Sequence, residues 1–179
     1  MTGTSRVYRP GANVVWGYGA VLAAPVMWAA VAFGSGEIRL EPHPAMGILA
    51  LIPSAGFCFG IRPRVKVSPR SVKVVNPFVC RVLAYEDIKK ANVYRVTVAL
   101  FLRGTDIVSP AAFGTDKFGR LNDPGTAEAM VDHVNKMVNL RKKGALADSR
   151  QVMSRRRPDW PSVAAAAAPF VLAALTSLA

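Results

Sequence analysis

The apolar residues of this chain are gathered into three charge-free blocks, and that clustering constrains the fold more than any motif does. The first block, residues 14–34, runs for 21 residues without a charge. As a helix rising about 1.5 Å per residue it would span roughly 31 Å, enough to cross a bilayer. The second, residues 45–61, is uncharged over 17 residues and carries Pro53 and Gly56, breakers that membrane helices tolerate. The third, residues 160–179, is Ala-rich, with Pro161 near its start and Pro169 inside it. The expected reading is a transmembrane helical hairpin over 14–61 and a C-terminal transmembrane helix over 160–179. The competing readings are a signal peptide for the first block, a re-entrant segment for the second and a low-complexity tail for the third.

Charge orients this arrangement. The N-terminal segment 1–13 carries Arg6 and Arg9 and no acid, whereas the loop 35–44 carries Glu37, Arg39 and Glu41. Residues 62–157 hold 20 Lys and Arg against 8 Asp and Glu, which accounts for the whole net charge of +12. Positive charge favours the cytoplasmic side, so the N-terminus and the middle section are expected there, in a multi-pass protein of the cell inner (plasma) membrane. No disulfide is expected between Cys58 and Cys80 on that reducing side.

Within 62–144 the pattern changes to alternation. In Arg64-Val65-Lys66-Val67 and Val72-Lys73-Val74 the valines point one way and the basic residues the other, the mark of half-buried strands around the turn Ser68-Pro69-Arg70-Ser71. Phe78 to Leu83 reads as a third strand after Asn76-Pro77. The apolar stretch 93–102 and Ile107-Val108 flank the turn Arg103-Gly104-Thr105-Asp106. A helix closes the section. Asp123-Pro124 starts it, Ala127, Met130, Val131, Val134, Met137 and Val138 form one stripe, and Arg141, Lys142, Lys143 and Gly144 end it. That stripe is expected to pack on the sheet. A basic linker, 145–159, leads to the third block; its Arg155-Arg156-Arg157 before Trp160 would pin a helix start to a membrane interface.

These residues resemble the bacterial pleckstrin-homology (PH-like) domains: Arg62-Pro-Arg-Val-Lys-Val, the strand at 72–75 with Asn76-Pro77, Arg81-Val-Leu-Ala-Tyr-Glu-Asp-Ile88, and a terminal amphipathic helix. Many such domains follow a pair of transmembrane helices in actinobacterial membrane proteins. The resemblance implies an antiparallel sheet or barrel of seven strands capped by the helix. The pattern yields about five of them, and residues 109–122 fit no clear strand. It further implies that acidic headgroups can bind at the loop joining the first two strands of the domain.

Chemistry is sparse. His43 and His133 fall in different expected compartments, and Gly17-Tyr18-Gly19 follows no strand, so it serves close helix packing rather than a dinucleotide. Glu86-Asp87 is the one adjacent carboxylate pair of the middle section. No enzyme activity, metal or cofactor is expected, and no nucleic-acid motif accompanies the positive charge. Two functions lead, with help in assembling or transporting an envelope component, without catalysis, as a third. The first is an accessory or scaffold subunit of a membrane protein complex, its first helix offering Gly17, Gly19, Ala20, Ala23 and Ala24 for close approach to partner subunits. The second is a module that binds anionic lipid headgroups through Arg64, Lys66, Arg70 and Lys73, each basic side chain gaining about 1 kcal/mol near an anionic leaflet.

Overall fold

The computed structural model describes residues 5–33, 44–94, 97–114, 123–144 and 154–177. Eight strands and four helices follow along them: β1 (Arg6–Tyr8), α1 (Gly11–Phe33), α2 (Pro44–Ala55), β2 (Arg64–Val67), β3 (Ser71–Asn76), β4 (Val79–Ala84), β5 (Ile88–Val93), β6 (Val98–Leu102), β7 (Ile107–Val108), α3 (Pro124–Lys142), β8 (Arg155–Pro158) and α4 (Trp160–Ser177). A π-helical turn, Gly56–Ile61, continues α2 towards β2, and a short 3-10 turn, Ala111–Phe113, follows β7.

The strands form two antiparallel sheets. The larger runs β1-β2-β3-β4-β8 and the smaller β5-β6-β7. Alternation sorts their faces: Val65, Val67, Val72, Val74 and Leu83 of the larger sheet are buried, while Lys66 and Lys73 between them are exposed. Facing them are Ile88, Ala91, Val98, Leu100 and Val108 of the smaller sheet, with Phe113 filling the space between. α3 closes the core with Ala127, Met130, Val131, Val134 and Val138, and packs chiefly on β5. Its start is the expected one. Asp123 caps it by accepting from the Thr126 N–H at 3.2 Å, and Pro124 occupies the first turn, where no backbone donor is needed.

Two side-chain amides join the layers. Asn135 of α3 accepts from the Ala91 N–H at 2.9 Å and donates to the Ala91 carbonyl at 3.0 Å, standing in for the missing neighbour of edge strand β5. Asn76 donates to the Ser109 carbonyl at 2.9 Å and accepts from the Ala111 N–H at 2.7 Å, tying the larger sheet to the segment after β7.

The expected architecture requires correction. The structure is an α+β fold with two antiparallel sheets and four helices. Among the described residues, no helix is long and apolar enough to cross a membrane. This overturns the transmembrane helical hairpin over 14–61, the C-terminal transmembrane helix over 160–179 and the multi-pass plasma-membrane location. The first block is α1, but the second is 12 residues of α2 followed by a wider π-helical turn, and α4 is an Ala-rich helix of 18 residues that contains Pro169. A charge-free run is what a spanning helix needs and also what helices packed on one another need. Here α1 packs on α2 and the π-helical turn, and α2 on α4.

The segments flanking the middle section also enter the sheet. Arg6–Tyr8 pairs with β2, and Arg155–Pro158, expected as a linker, pairs with β4. The stretch 93–102 is divided between the end of β5 and β6. Residues 115–122 lie outside the described ones.

Candidate functional site

The hairpin β2–β3 places Arg64, Lys66 and Lys73 on one face and Arg70 in its turn. Lys66 and Lys73 sit directly opposite one another in the register and are exposed on the outer face of the larger sheet. Lys73 is in turn opposite Val82, and Val82 opposite Arg155, so Arg155 shares their face two strands farther on. Arg64 and Arg70 lie at opposite ends of the hairpin, separated by a strand of about 10 Å. Arg70 is exposed in the turn. Arg64 is half-buried at the helical end of the sheet, where burial first, and then Arg62 and Arg9, lower its pKa. The structure therefore gathers Lys66 and Lys73, with Arg64 on the same face one step along β2, and leaves Arg70 apart in the turn.

Arg62, at the end of the π-helical turn, is paired with an acid from the start of α4. Its Nε and Nη2 donate to the two carboxylate oxygens of Asp159, each at 2.7 Å, and Asp159 is only 4% exposed. Asp159 is also the cap of α4: Ser162 Oγ donates to it at 2.6 Å, and its carbonyl accepts from the Ser162 and Val163 N–H groups. Its own N–H donates to the Phe78 carbonyl at 2.8 Å. One buried residue thus joins α4, the end of the π-helical turn through its carboxylate, and the β3–β4 turn through its backbone N–H. The Arg62 guanidinium foremost, then the Ser162 hydroxyl, hold its pKa below the ordinary carboxylate value. Asp159-Trp160-Pro161-Ser162 carries the same acid-then-proline signal as Asp123-Pro124, so this cap was legible. Its arginine partner, 97 residues away in sequence, was not.

Beside this junction Cys58 is buried and its thiol donates to the Ser162 carbonyl at 3.3 Å. Burial pushes its pKa up, which keeps it a protonated packing group rather than a nucleophile. Cys58 and Cys80 are both free thiols. Arg9 has its Nε buried without a hydrogen-bond partner among the described residues. An apolar groove of about 210 Å³ opens next to Cys58, bounded by Leu51, Phe59, Phe78 and Phe170.

His133 projects from α3 to meet Tyr8 of β1, with Tyr8 Oη 2.7 Å from Nδ1. Burial, Arg6 and Lys136 lower its pKa, so the neutral ring is favoured. His43 lies outside the described residues. Tyr85 is buried, and its hydroxyl donates to the Ser68 carbonyl at 2.5 Å, pinning the β2–β3 turn. Glu86 pairs with Arg141, and Asp87 accepts from Ser154, so both members of the adjacent carboxylate pair have structural partners. Among the described residues no group of three or more His, Cys, Asp or Glu side chains is placed to hold a metal ion.

Among the described residues, most of the exposed large apolar side chains lie on the helices. β1 ends, β2 begins and β8 ends at the same end of the strands of the larger sheet, so α1, the π-helical turn and α4 all join it there. On α1, Val15, Tyr18, Leu22 and Val26 recur at spacings of three and four and are 51–72% exposed. Trp16, Trp160 and Phe170 add to this surface. The small residues of α1 have an internal use. A Cβ on Gly60 would lie 2.5 Å from Gly17 Cα, and one on Gly56 would lie 2.6 Å from Ala20 Cβ, whereas Gly19 faces open space.

No family model, curated protein or solved structure matches this chain, so the PH-like resemblance rests only on the residues that carry it.

Proposed function

We propose that this chain is a non-catalytic accessory or scaffold subunit of a membrane protein complex, docking through its helical end on an apolar helical surface of a partner protein. The observation that supports this reading is the exposed stripe Val15–Tyr18–Leu22–Val26 on α1; Trp160 and Phe170 of α4, which packs on α2, are exposed as well. Contiguous apolar surface of this kind marks an interaction site. The two-sheet body supports it by presenting that surface on a rigid base, joined through the Arg62–Asp159 pair. A photoreactive residue at Val26 should crosslink to a second protein in cells, and one at the exposed Lys89 on β5 should not. Equal labelling at both positions, or none at Val26, would sink the proposal.

The Lys66–Lys73 pair favours a second reading, binding of anionic lipid headgroups on the outer face of the larger sheet. Like charges directly opposite one another destabilise a sheet slightly, so an anion between them would relieve a cost. The full chain should then bind vesicles containing an anionic lipid more tightly than neutral ones, and Lys66→Ala with Lys73→Ala should remove the difference. Unchanged binding by that double variant would exclude the site.

A further inference from the structure

The inner face of the larger sheet carries a second pair of opposed cations at the open side of the two-sheet core. Arg81 of β4 is directly opposite Arg156 of β8, and opposite Val74 on its other side. Val74 is buried, so the register places half-buried Arg81 and exposed Arg156 on the inner side, while Arg155, on the other side of β8, borders the same groove. Two adjoining grooves of about 240 and 290 Å³ meet at this pair, one towards Asn76 and Ser109, the other towards Leu102 and Ser154. Neither arginine has an ion-pair partner among the described residues. Asp106 lines one groove but lies beyond ion-pair range of both.

We infer that Arg81 and Arg156 form a binding site for a phosphate group, distinct from the Lys66–Lys73 face. Side chains directly opposed across antiparallel strands have Cβ atoms about 5 Å apart, so two planar guanidinium forks can converge on one tetrahedral anion. A phosphate carries close to two negative charges and matches the two cations; arginine suits it better than lysine because each fork can donate two parallel hydrogen bonds. The like-charge repulsion has a purpose on this account, since only the bound anion relieves it. Edge protection is the competing explanation for arginines on β8, but that role is open to Arg155 and Arg157 and does not require a cation facing inward beside Arg81.

The test is calorimetric titration of the full chain with inorganic phosphate, pyrophosphate and a soluble inositol phosphate, together with sedimentation on vesicles containing a phosphoinositide. Arg81→Gln and Arg156→Gln should each weaken phosphate binding about tenfold or more, and the double variant should abolish it. Without ligand the same variants should melt at or above the wild-type temperature. Dependence on both arginines in the soluble arm alone identifies a free phosphate ligand, and in the vesicle arm alone a lipid headgroup; either supports the site. Phosphate affinity unchanged in both variants would overturn it. So would self-association of Arg156→Gln at unaltered affinity, the result edge protection predicts, or equal loss of binding in Lys66→Ala with Lys73→Ala.

Discussion

Asp159 shows how one residue, through its carboxylate and its backbone, can hold three segments together. It receives two hydrogen bonds from Arg62 and one from Ser162, so Asp159→Asn would leave the largely buried Arg62 charge poorly paired. The expected cost is about 2–4 kcal/mol, read as a lower midpoint in urea unfolding. Its folded pKa lies below the unfolded value, so its contribution is fully present above about pH 4 and is lost as pH falls through the folded pKa. The variant should therefore show a flatter acid limb; an unchanged one would contradict the assignment. His133 has the same sign for a different reason. A base whose folded pKa is depressed resists protonation in the fold, so its contribution falls as pH drops below about 6.5, and His133→Gln should remove that dependence. In the sequence, Arg62 was legible as a charge beside an apolar block and His133 as a residue on a helix face. Neither partner could be read, because Tyr8 and Asp159 reach them from elements more than 90 residues away.

The elements with a strong period were the ones the sequence disclosed. The alternation around Lys66 and Lys73 and the stripe from Ala127 to Val138 each correspond to an observed strand pair or helix. β1 and β8 were not legible, because edge strands of three and four residues are too short to show a period and Arg155-Arg156-Arg157 contains no alternation. The apolar blocks disclosed helices but not where those helices go, since composition alone does not separate a lipid-facing helix from one packed on its neighbours. The glycines of those helices make a discriminating pair. Gly60→Ala would force a Cβ against the α1 backbone and should cost about 2 kcal/mol or more, whereas Gly19→Ala meets nothing and should stabilise by about 0.5–1 kcal/mol. Thermal unfolding of the two variants checks this, and equal effects would contradict the described crossing of α1 over the π-helical turn. At the other end, Asn135→Ala strips two backbone partners from β5 and should lower stability by about 1–3 kcal/mol, with faster amide exchange at Ala91.

At the scale of the whole molecule, three helical segments join one end of the larger sheet, and the exposed apolar side chains of α1 and α4 lie on the helical group so formed. The outer sheet face is basic at Lys66, Lys73 and Arg155, and the inner grooves at Arg81 and Arg156. This separation allows a protein contact and an anion to be held at different places. The net charge read from the sequence is thus divided among distinct surfaces. Part of it, as at Arg62 and Arg141, is used for internal pairing. The most direct test of the docking account is native mass spectrometry of the gently purified chain beside its Leu22→Glu/Val26→Glu variant. The account predicts a mass equal to this 19.2 kDa chain plus one defined partner protein for the wild type, lost in the variant although its far-ultraviolet spectrum is unchanged. A wild-type chain that always flies alone at its own mass, or a complex indifferent to both substitutions, would contradict it.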